Sequence, residues 1–443
     1  MPSISPQKLK ICFKACIIIA CLNIKNCVYL GILMRRPFFV TQRHRTSVPR
    51  RLAAVVHTFS LVMLFAASSA PTPLYRIYQA SWGFSPVMLT VVFGAYALAL
   101  LAALLTAGSL SDFLGRRPVI MLALLLAAAS MGLFLLAVGP HWLIAARLVQ
   151  GLATGIATTA LSAALLDLNH QRGALINSIA PMAGMAIGAM GSSALLILAP
   201  APLHLVFVIL LVAFASCLAM TWWTPESGGG RPGALASLRP SISIPPQARI
   251  ALLAISPVNI AVWMLGGFYL SLMPSLIARV TAAQSPWLSG EVVAALTLSG
   301  ALAIACVRRW KALTALMSGS VMLLCGVAAI LAGANAGSGA LLITGSLIAG
   351  LGFGGGFLGA LRTLIPLVSP GERAALMAAF YVECYLANSL PAIAAGFGVQ
   401  RWGLLTTVNL YALAIMALTV IALLASWLTR GRLAALCASR GTL

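Results

Sequence analysis

The sequence predicts an all-α integral membrane protein with twelve transmembrane helices in two pseudo-symmetric six-helix bundles. Three observations support this fold class. The 443 residues are 61% hydrophobic and only 8% charged, whereas soluble domains are about half apolar and about a quarter charged. The apolar residues form runs long enough to cross about 30 Å of hydrocarbon as helices. The two halves of the array also share sequence patterns at corresponding places.

The first 50 residues precede this array and form a predicted N-terminal extension. Residues 1–33 contain four of the nine cysteines and four of the five lysines of the chain. This change in residue usage favours a misassigned or disordered start, with Met34 as the true first residue, and the segment is excluded from the fold prediction. The alternative is an additional hydrophobic anchor at residues 11–33.

From residue 51 onward, apolar runs define twelve spans. They cover residues 52–70, 86–108, 118–138, 141–166, 174–198, 203–223, 250–277, 287–306, 312–333, 337–365, 374–398 and 404–428. Residues 224–249 divide the array six and six, and their Gly, Pro and Ser content is typical of a flexible linker. The predicted organisation is a first bundle at 51–223, a cytoplasmic linker at 224–249, a second bundle at 250–429 and a cytoplasmic tail at 430–443.

Basic residues predict the orientation in the membrane. If residue 51 is cytoplasmic, most arginines between the spans are cytoplasmic too, and the opposite side carries only Arg76, Arg279 and Arg401. Cytoplasmic loops are rich in Lys and Arg. We therefore expect a protein of the inner (plasma) membrane with both termini on the cytoplasmic side. The net charge of +22 therefore reflects topology, and nucleic acid is not an expected partner.

Two sequence patterns recur in both halves. "GSLSDFLGRR" at 108–117 aligns with "GALAIACVRR" at 300–309, after the second span of each half. "LIAARLVQGLATG" at 143–155 aligns with "LITGSLIAGLGFG" at 342–354, in the fourth span of each half. Such a duplication is typical of transporters in which two similar bundles surround a central site.

With these motifs the chain resembles the major facilitator superfamily. Residues 108–117 match that family's loop motif G-x-L-[SA]-D-x-x-G-R-R at every specified position, and 147–151, "RLVQG", match its fourth-helix motif R-x-x-Q-G. The resemblance covers residues 51–430, and within the superfamily the chain looks most like bacterial efflux permeases of the sugar or drug type. It implies a transporter of a small organic molecule, working by alternating access.

The resemblance also implies that the loop motif latches the first bundle to the second when the cytoplasmic gate is shut. The latch residues are Gly108, Asp112, Gly115, Arg116 and Arg117. Gly108 allows another helix to approach closely, Gly115 allows a positive φ, and the carboxylate can pair with either arginine. The alternative is a positively charged cytoplasmic loop without a gating role.

Four polar residues of the fourth span share one helix face. They are Arg147, Gln150, Thr154 and Thr158. A polar stripe inside the membrane is expected to line a substrate or proton pathway rather than face lipid. The alternative is a structural arginine that caps neighbouring carbonyls. Nearby, Asp167 is expected to be solvated or paired with Arg172.

Glu383 is the one acid that the sequence places clearly within the hydrocarbon, in the eleventh span. A carboxyl group there suits proton exchange or pairing with a cationic substrate. The alternative is a neutral, hydrogen-bonded Glu in a tightly packed helix pair. Ser256, Asn259 and Trp263 share a face of the seventh span beside Pro257 and are weaker candidates for the same pathway.

The sequence contains no ATP-binding G-x-x-x-x-G-K-[ST] loop, so the expected energy source is an ion gradient, with protons exchanged at Glu383. Together with the resemblance to efflux permeases, this makes proton-coupled efflux the expected activity. Proton-coupled uptake is the alternative, and a non-transporting receptor or scaffold is the third. The fifth span carries Gly184, Gly188 and Gly191 in an incomplete antiporter motif, which leaves the direction open. The expected partners are a small-molecule substrate, protons and the bilayer. The protein is expected to be a monomer with no cofactor, no metal site and no enzymatic activity.

Overall fold

A computed structural model describes residues 48–240, 242–281, 286–369 and 371–438. The predicted N-terminal extension lies almost entirely outside the described residues, as does Met34. The described residues contain fifteen α-helices, which we number in chain order. They are α1 (Arg50–Ser69), α2 (Tyr75–Trp82), α3 (Pro86–Ala107), α4 (Leu110–Leu114), α5 (Arg116–Leu135), α6 (Pro140–Leu168), α7 (His170–Leu198), α8 (Pro202–Thr221), α9 (Pro246–Ser271), α10 (Met273–Thr281), α11 (Pro286–Val307), α12 (Ala312–Ala336), α13 (Gly339–Leu364), α14 (Arg373–Trp402) and α15 (Leu404–Ala438).

Twelve of these helices are long and apolar enough to cross a membrane, which confirms the predicted fold class. The others, α2, α4 and α10, are short. The predicted span 250–277 is wrong at its end, since α9 stops at Ser271 and α10 begins at Met273. Pro274 explains the break, because its ring nitrogen cannot donate the next helical hydrogen bond. At the other end of the chain, α15 extends into the predicted tail as far as Ala438.

The spanning helices alternate in direction, so their ends lie on two sides of the molecule. We call the side that holds residues 108–117 and 224–240 the linker face, and the opposite side the far face. The first six spans contact one another, as in the pairs α3–α6 and α1–α7, and the last six do the same, as in α12–α13 and α9–α14. The two bundles meet along two seams, α3–α14 and α7–α11.

Glycines bring α12 and α13 into backbone contact. Gly319, Gly326 and Gly333 recur every seven residues on α12, opposite Gly345, Gly352 and Gly359 on α13. A Cβ atom added at Gly326 would lie 2.5 Å from the Ala349 Cα atom, and one added at Gly359 would lie 2.5 Å from the Leu316 nitrogen. Since small residues drive close helix packing in membranes, this pair forms a rigid wall of the second bundle.

Both seams include close approaches near the far face. On the α3–α14 seam, a Cβ atom added at Gly396 would collide with the Thr90 side chain. On the α7–α11 seam, a Cβ atom added at Gly290 would lie 2.6 Å from the Ser193 hydroxyl. At the far face the two bundles are therefore in direct contact along both seams.

Candidate functional site

The 108–117 loop turns sharply between α3 and α5. The short helix α4 ends at Gly115, which has φ +100 and ψ 154, a conformation that glycine adopts without strain. Arg116 then begins α5, and its Nη1 lies 2.5 Å from an Asp112 carboxylate oxygen and donates to the Ser111 hydroxyl at 2.7 Å. The predicted pairing of Asp112 therefore forms with the first of the two arginines.

A linker residue completes this loop. The Glu226 carboxylate accepts hydrogen bonds from the backbone nitrogens of Arg116 at 2.7 Å and Arg117 at 3.1 Å. Both nitrogens lie in the first turn of α5, where backbone N–H groups lack helical partners and an anion is stabilised. A Cβ atom at Gly115 would lie 2.8 Å from a Glu226 carboxylate oxygen. The glycine is therefore required both for its φ angle and for the space that the carboxylate occupies.

Further contacts fix the start of the linker against the first bundle. Asp167 accepts from Arg116 Nε at 3.4 Å and from the Ser227 hydroxyl at 3.0 Å, so its partner is not the expected Arg172. The Arg231 nitrogen donates to the Phe113 carbonyl at 2.9 Å. The linker thus differs at this end from the flexible segment that its composition indicates, because polar partners hold it.

The hydrogen bonds and ion pairs described for the 108–117 loop join it to the first bundle and to the linker. Arg117 also contacts the linker, since its Nη1 donates to the Thr224 carbonyl at 3.4 Å. At Gly108, an added Cβ atom would lie 3.7 Å from Thr159 on α6, an ordinary contact distance. The role of the motif as a latch between the two bundles remains a prediction.

The corresponding loop of the second bundle uses one arginine instead of an ion pair. Arg362 Nη1 donates to the carbonyls of Arg308 at 2.9 Å and Trp310 at 2.7 Å. Sequence reasoning missed Arg362, because it lies at the end of an apolar run and outside the repeated motif.

Arg147 is buried, with only 1% of its surface exposed. Its Nε donates to the Tyr75 hydroxyl at 2.6 Å, and its Nη1 donates to the Ser68 carbonyl at 2.8 Å and to Gln150 Oε1 at 2.6 Å. The Gln150 amide in turn donates to the Ala67 carbonyl at 2.8 Å. These carbonyls belong to the last turn of α1, where helical partners are missing. The contacts are therefore those of the structural alternative, an arginine that caps neighbouring carbonyls.

The rest of the fourth-span stripe bonds within its own helix. Thr154 donates to the Gln150 carbonyl at 2.8 Å and Thr158 to the Thr154 carbonyl at 2.6 Å. The Tyr96 ring lies 5.2 Å from the Arg147 guanidinium carbon. That Arg147, Gln150, Thr154 and Thr158 line a substrate or proton pathway remains a prediction.

Glu383 lies on α14 and faces α9. Its Oε2 accepts from the Ser256 hydroxyl at 2.6 Å and its Oε1 from the Asn259 amide at 2.9 Å. The Asn259 amide also lies 3.3 Å from the Cys384 sulfur. The structure thus brings together three of the polar residues that the sequence singled out on these two helices, and both carboxylate oxygens have a partner.

An aromatic cluster lies beside this group, and sequence reasoning missed most of it. Its rings are Trp263 on α9, Phe357 on α13, and Phe380, Tyr381 and Tyr385 on α14. The Trp263 ring is 5.0 Å from Tyr385 and 5.9 Å from Phe357, and the remaining neighbours are 6.1 to 6.4 Å apart. The five contacts form a closed circuit. Only the i, i+4 spacing of the two tyrosines was visible as a signal in the sequence.

The comparisons with known proteins agree with this architecture. The family model described as Major Facilitator Superfamily matches residues 57–390. The chain belongs to this superfamily. It is therefore a multi-pass membrane transporter and not an enzyme. No curated protein sequence matches the chain at a significant level.

Solved structures of two transporters share the fold. The human organic anion transporter MFSD10 (TETRAN) is 17% identical, with a TM-score of 0.60. The nucleoside transporter NupG is 14% identical, with a TM-score of 0.66. In both cases the match covers 85% of this chain and 100% of the other. At these identities the likeness concerns the fold alone.

Proposed function

We propose that this transporter exports a small organic molecule by alternating access and exchanges it for protons through Glu383. The two bundles would rock about their seams, so that a central site opens to one face at a time. The fold supports the rocking motion, and the Glu383 group supports the coupling. One proton that moves across 100 mV releases about 2.3 kcal/mol, enough for about fifty-fold accumulation of substrate.

The hydrogen bonds of Ser256 carry the proposal for Glu383. The single hydroxyl proton of Ser256 has two acceptors within reach, Glu383 Oε2 at 2.6 Å and the Leu252 carbonyl at 2.9 Å. When Glu383 is ionised, Ser256 donates to it. When Glu383 is protonated, the carboxyl group donates to Ser256, whose own proton then goes to Leu252. The carboxyl group can therefore take up or release a proton in this conformation without leaving an unpaired hydrogen-bonding group.

No other charged side chain contacts this carboxylate in the described hydrogen bonds and ion pairs. The titratable neighbours on α14 are the Cys384 thiol and the phenols of Tyr381 and Tyr385, which are uncharged at neutral pH by their ordinary values. A proton that binds Glu383 therefore changes the local charge from negative to zero. A carboxyl group within the hydrocarbon that can lose and regain its charge suits proton coupling.

The direction of transport rests on the resemblance of the chain, within the superfamily, to bacterial efflux permeases. Proton-coupled uptake on the same residues is the second candidate, because the glycines of the antiporter motif serve packing. Cβ atoms added at Gly184 and Gly188 would collide with the backbone of α1 at Val62 and Ala66. Orientation in the membrane, with both termini cytoplasmic, follows from the basic loops and is part of the proposal.

Reconstituted protein tests the proposal. Ligands are first found by thermal stabilisation against sugars, amino acids, organic acids and antibiotics. Flux of a stabilising compound is then followed in proteoliposomes with an imposed pH gradient and an internal pH dye. We expect Glu383→Gln to abolish proton movement while expression and melting temperature stay near wild type, because glutamine keeps the shape without the exchangeable proton.

Glu291→Gln is the matched control, because Glu291 is an acid on a different helix, near the start of α11 at the far face. It should retain coupling. Proton flux that survives in Glu383→Gln would remove Glu383 from the mechanism. Proton and substrate flux in the same direction would replace antiport by symport.

A further inference from the structure

The loop between α11 and α12, on the linker face, concentrates positive charge. Arg308, Arg309 and Lys311 are exposed there, with the exposed Trp310 between them. A fourth cation joins them, because Arg362 Nη1 donates to the carbonyls of Arg308 at 2.9 Å and Trp310 at 2.7 Å. We call these four cations the second-bundle cluster. Like charges in one short loop repel one another, so the cluster requires negative charge nearby.

The acidic side chains of the chain lie elsewhere. There are six of them, namely Asp112, Asp167, Glu226, Glu291, Glu372 and Glu383. The first three lie around α5, where two pair with Arg116 and the third binds the start of the helix. The fourth lies near the far-face end of α11, and the last two accept hydrogen bonds from neutral side chains at α14 and α9. None of the described ion pairs includes a cation of the second-bundle cluster.

The corresponding loop of the first bundle shows what is missing. Both loops carry two consecutive arginines, but Ile304 stands where the first bundle has Asp112. The helix that follows also differs, because Glu226 binds the start of α5, whereas Lys311 at the start of α12 makes no side-chain cap. The second loop therefore keeps the cations without the two carboxylates. The counter-charge has to come from outside the chain.

The helix beneath the cluster faces the acyl chains of the bilayer. Leu298, Leu302 and Cys306 recur every fourth residue on α11 and are exposed, the two leucines by 51% and 58%. Exposed apolar side chains on one face of a spanning helix contact lipid. Trp310 continues this surface at the loop and is 46% exposed, and tryptophan is enriched at the level of the lipid head groups. An anion at the cluster is therefore within reach of acyl chains.

From these observations we propose that the second-bundle cluster binds the phosphate of an anionic phospholipid. Its arginine guanidinium groups suit a phosphate, which they bind through paired hydrogen bonds. The acyl chains lie along the leucines of α11, and Trp310 packs at the head group. Basic clusters at a membrane edge recognise anionic head groups in this way. The site does not depend on the transported substrate, on the direction of transport or on Glu383.

Brominated lipids test the site, because bromine quenches tryptophan fluorescence at short range. The full chain is reconstituted in phosphatidylcholine liposomes that contain a small fraction of either brominated phosphatidylglycerol, which is anionic, or brominated phosphatidylcholine, which has no net charge. The contribution of Trp310 is the difference between each protein and the same protein with Trp310→Phe. We expect phosphatidylglycerol to quench Trp310 at a lower lipid fraction than phosphatidylcholine, by at least about tenfold.

Charge substitutions locate the binding to this loop. One cation near a membrane surface is worth about fivefold in affinity. The triple variant Arg308→Gln, Arg309→Gln, Lys311→Gln should therefore lose the preference for phosphatidylglycerol, and Lys311→Gln alone should reduce it about fivefold. The matched control is Arg172→Gln, Arg231→Gln, Arg239→Gln, which removes three exposed arginines from the same face. The control should keep the preference.

Three results would overturn the proposal. They are equal quenching by the two lipids, a preference that survives in the triple variant, and an equal loss of preference in the control, which would indicate a general attraction to the basic face. Soluble glycerol phosphate, added in large excess, distinguishes the source of the phosphate. It should leave the quenching unchanged, and loss of the preference would show that the loop takes a soluble anion instead of a lipid. Lys311→Gln also serves as the test if the triple variant does not fold.

Discussion

Replacing Gly115 by alanine should release the linker from the first bundle. The backbone there has φ +100 and ψ 154, a region that is essentially restricted to glycine, so the new side chain adds about 1–3 kcal/mol of strain. Its Cβ atom would also lie 2.8 Å from a Glu226 carboxylate oxygen. The carboxylate must then leave the first turn of α5, and the two N–H groups that it accepts from lose their partner.

The loss of that carboxylate is comparable to the loss of a helix N-cap, about 1 kcal/mol, since Glu226 is exposed and its charge is screened by solvent. The two contributions together give about 2–4 kcal/mol. At about 2 °C per kcal/mol for a large domain, Gly115→Ala should lower the melting temperature by about 4–8 °C. Glu226→Gln tests the carboxylate alone and should lower it by about 1–2 °C.

Scanning fluorimetry of the detergent-purified protein measures the melting temperature, and chymotrypsin reports on the linker. Cleavage after the exposed Leu235 should become faster in Gly115→Ala. Gly229→Ala is the control, because that linker glycine has no heavy atom within 4 Å of an added Cβ atom and should behave as wild type. A Gly115→Ala protein that melts and is cleaved like Gly229→Ala would refute the reasoning.

Two further substitutions test the packing of the bundles. Gly326→Ala should lower the melting temperature by several degrees, because its Cβ atom would lie 2.5 Å from the Ala349 Cα atom and overpacking costs about 1–3 kcal/mol. The control Gly132→Ala has no heavy atom within 4 Å of the added Cβ atom, so it should be neutral or stabilising by up to about 1 kcal/mol. Equal shifts of the two variants in scanning fluorimetry would contradict this. Arg147→Lys should destabilise the first bundle by about 3 kcal/mol, since a lysine cannot reproduce the fork that bonds Ser68 and its other partners, and an unchanged melting temperature would show that this buried network is dispensable.

The overall fold was predictable because its cause is local. Each span is a run of apolar residues, and the duplicated motifs at 108–117 and 300–309 indicate two bundles without any knowledge of packing. The break between α9 and α10 could also have been found, since Pro274 lies inside the predicted span. The glycines that recur every seven residues on α12 and α13 were equally visible in the sequence, and they mark a helix pair in close backbone contact.

Contacts between distant residues were less predictable. Glu226 looks like a solvated acid in a Gly-rich linker, and nothing local indicates that it meets the start of α5, more than a hundred residues earlier. The aromatic cluster combines rings from three helices, so no single helical pattern reveals it. Arg147 was singled out as a polar residue within a spanning helix, and the structure buries it. Whether it lines a pathway or caps carbonyls depends on where α1 ends, which the sequence around Arg147 does not show.

Alternating access is the central claim, and two distances measured in one protein test it most directly. Spin labels at Leu114 and Trp310 span the two bundles at the linker face, and labels at Val138 and Trp402 span them at the far face; all four positions are exposed. In a background without native cysteines, pulsed electron resonance gives both distances at alkaline and at acid pH. We predict that one distance lengthens while the other shortens when the pH changes, and that Glu383→Gln stays in one state. Two distances that remain constant, or that lengthen together in a protein that still transports, would contradict the account.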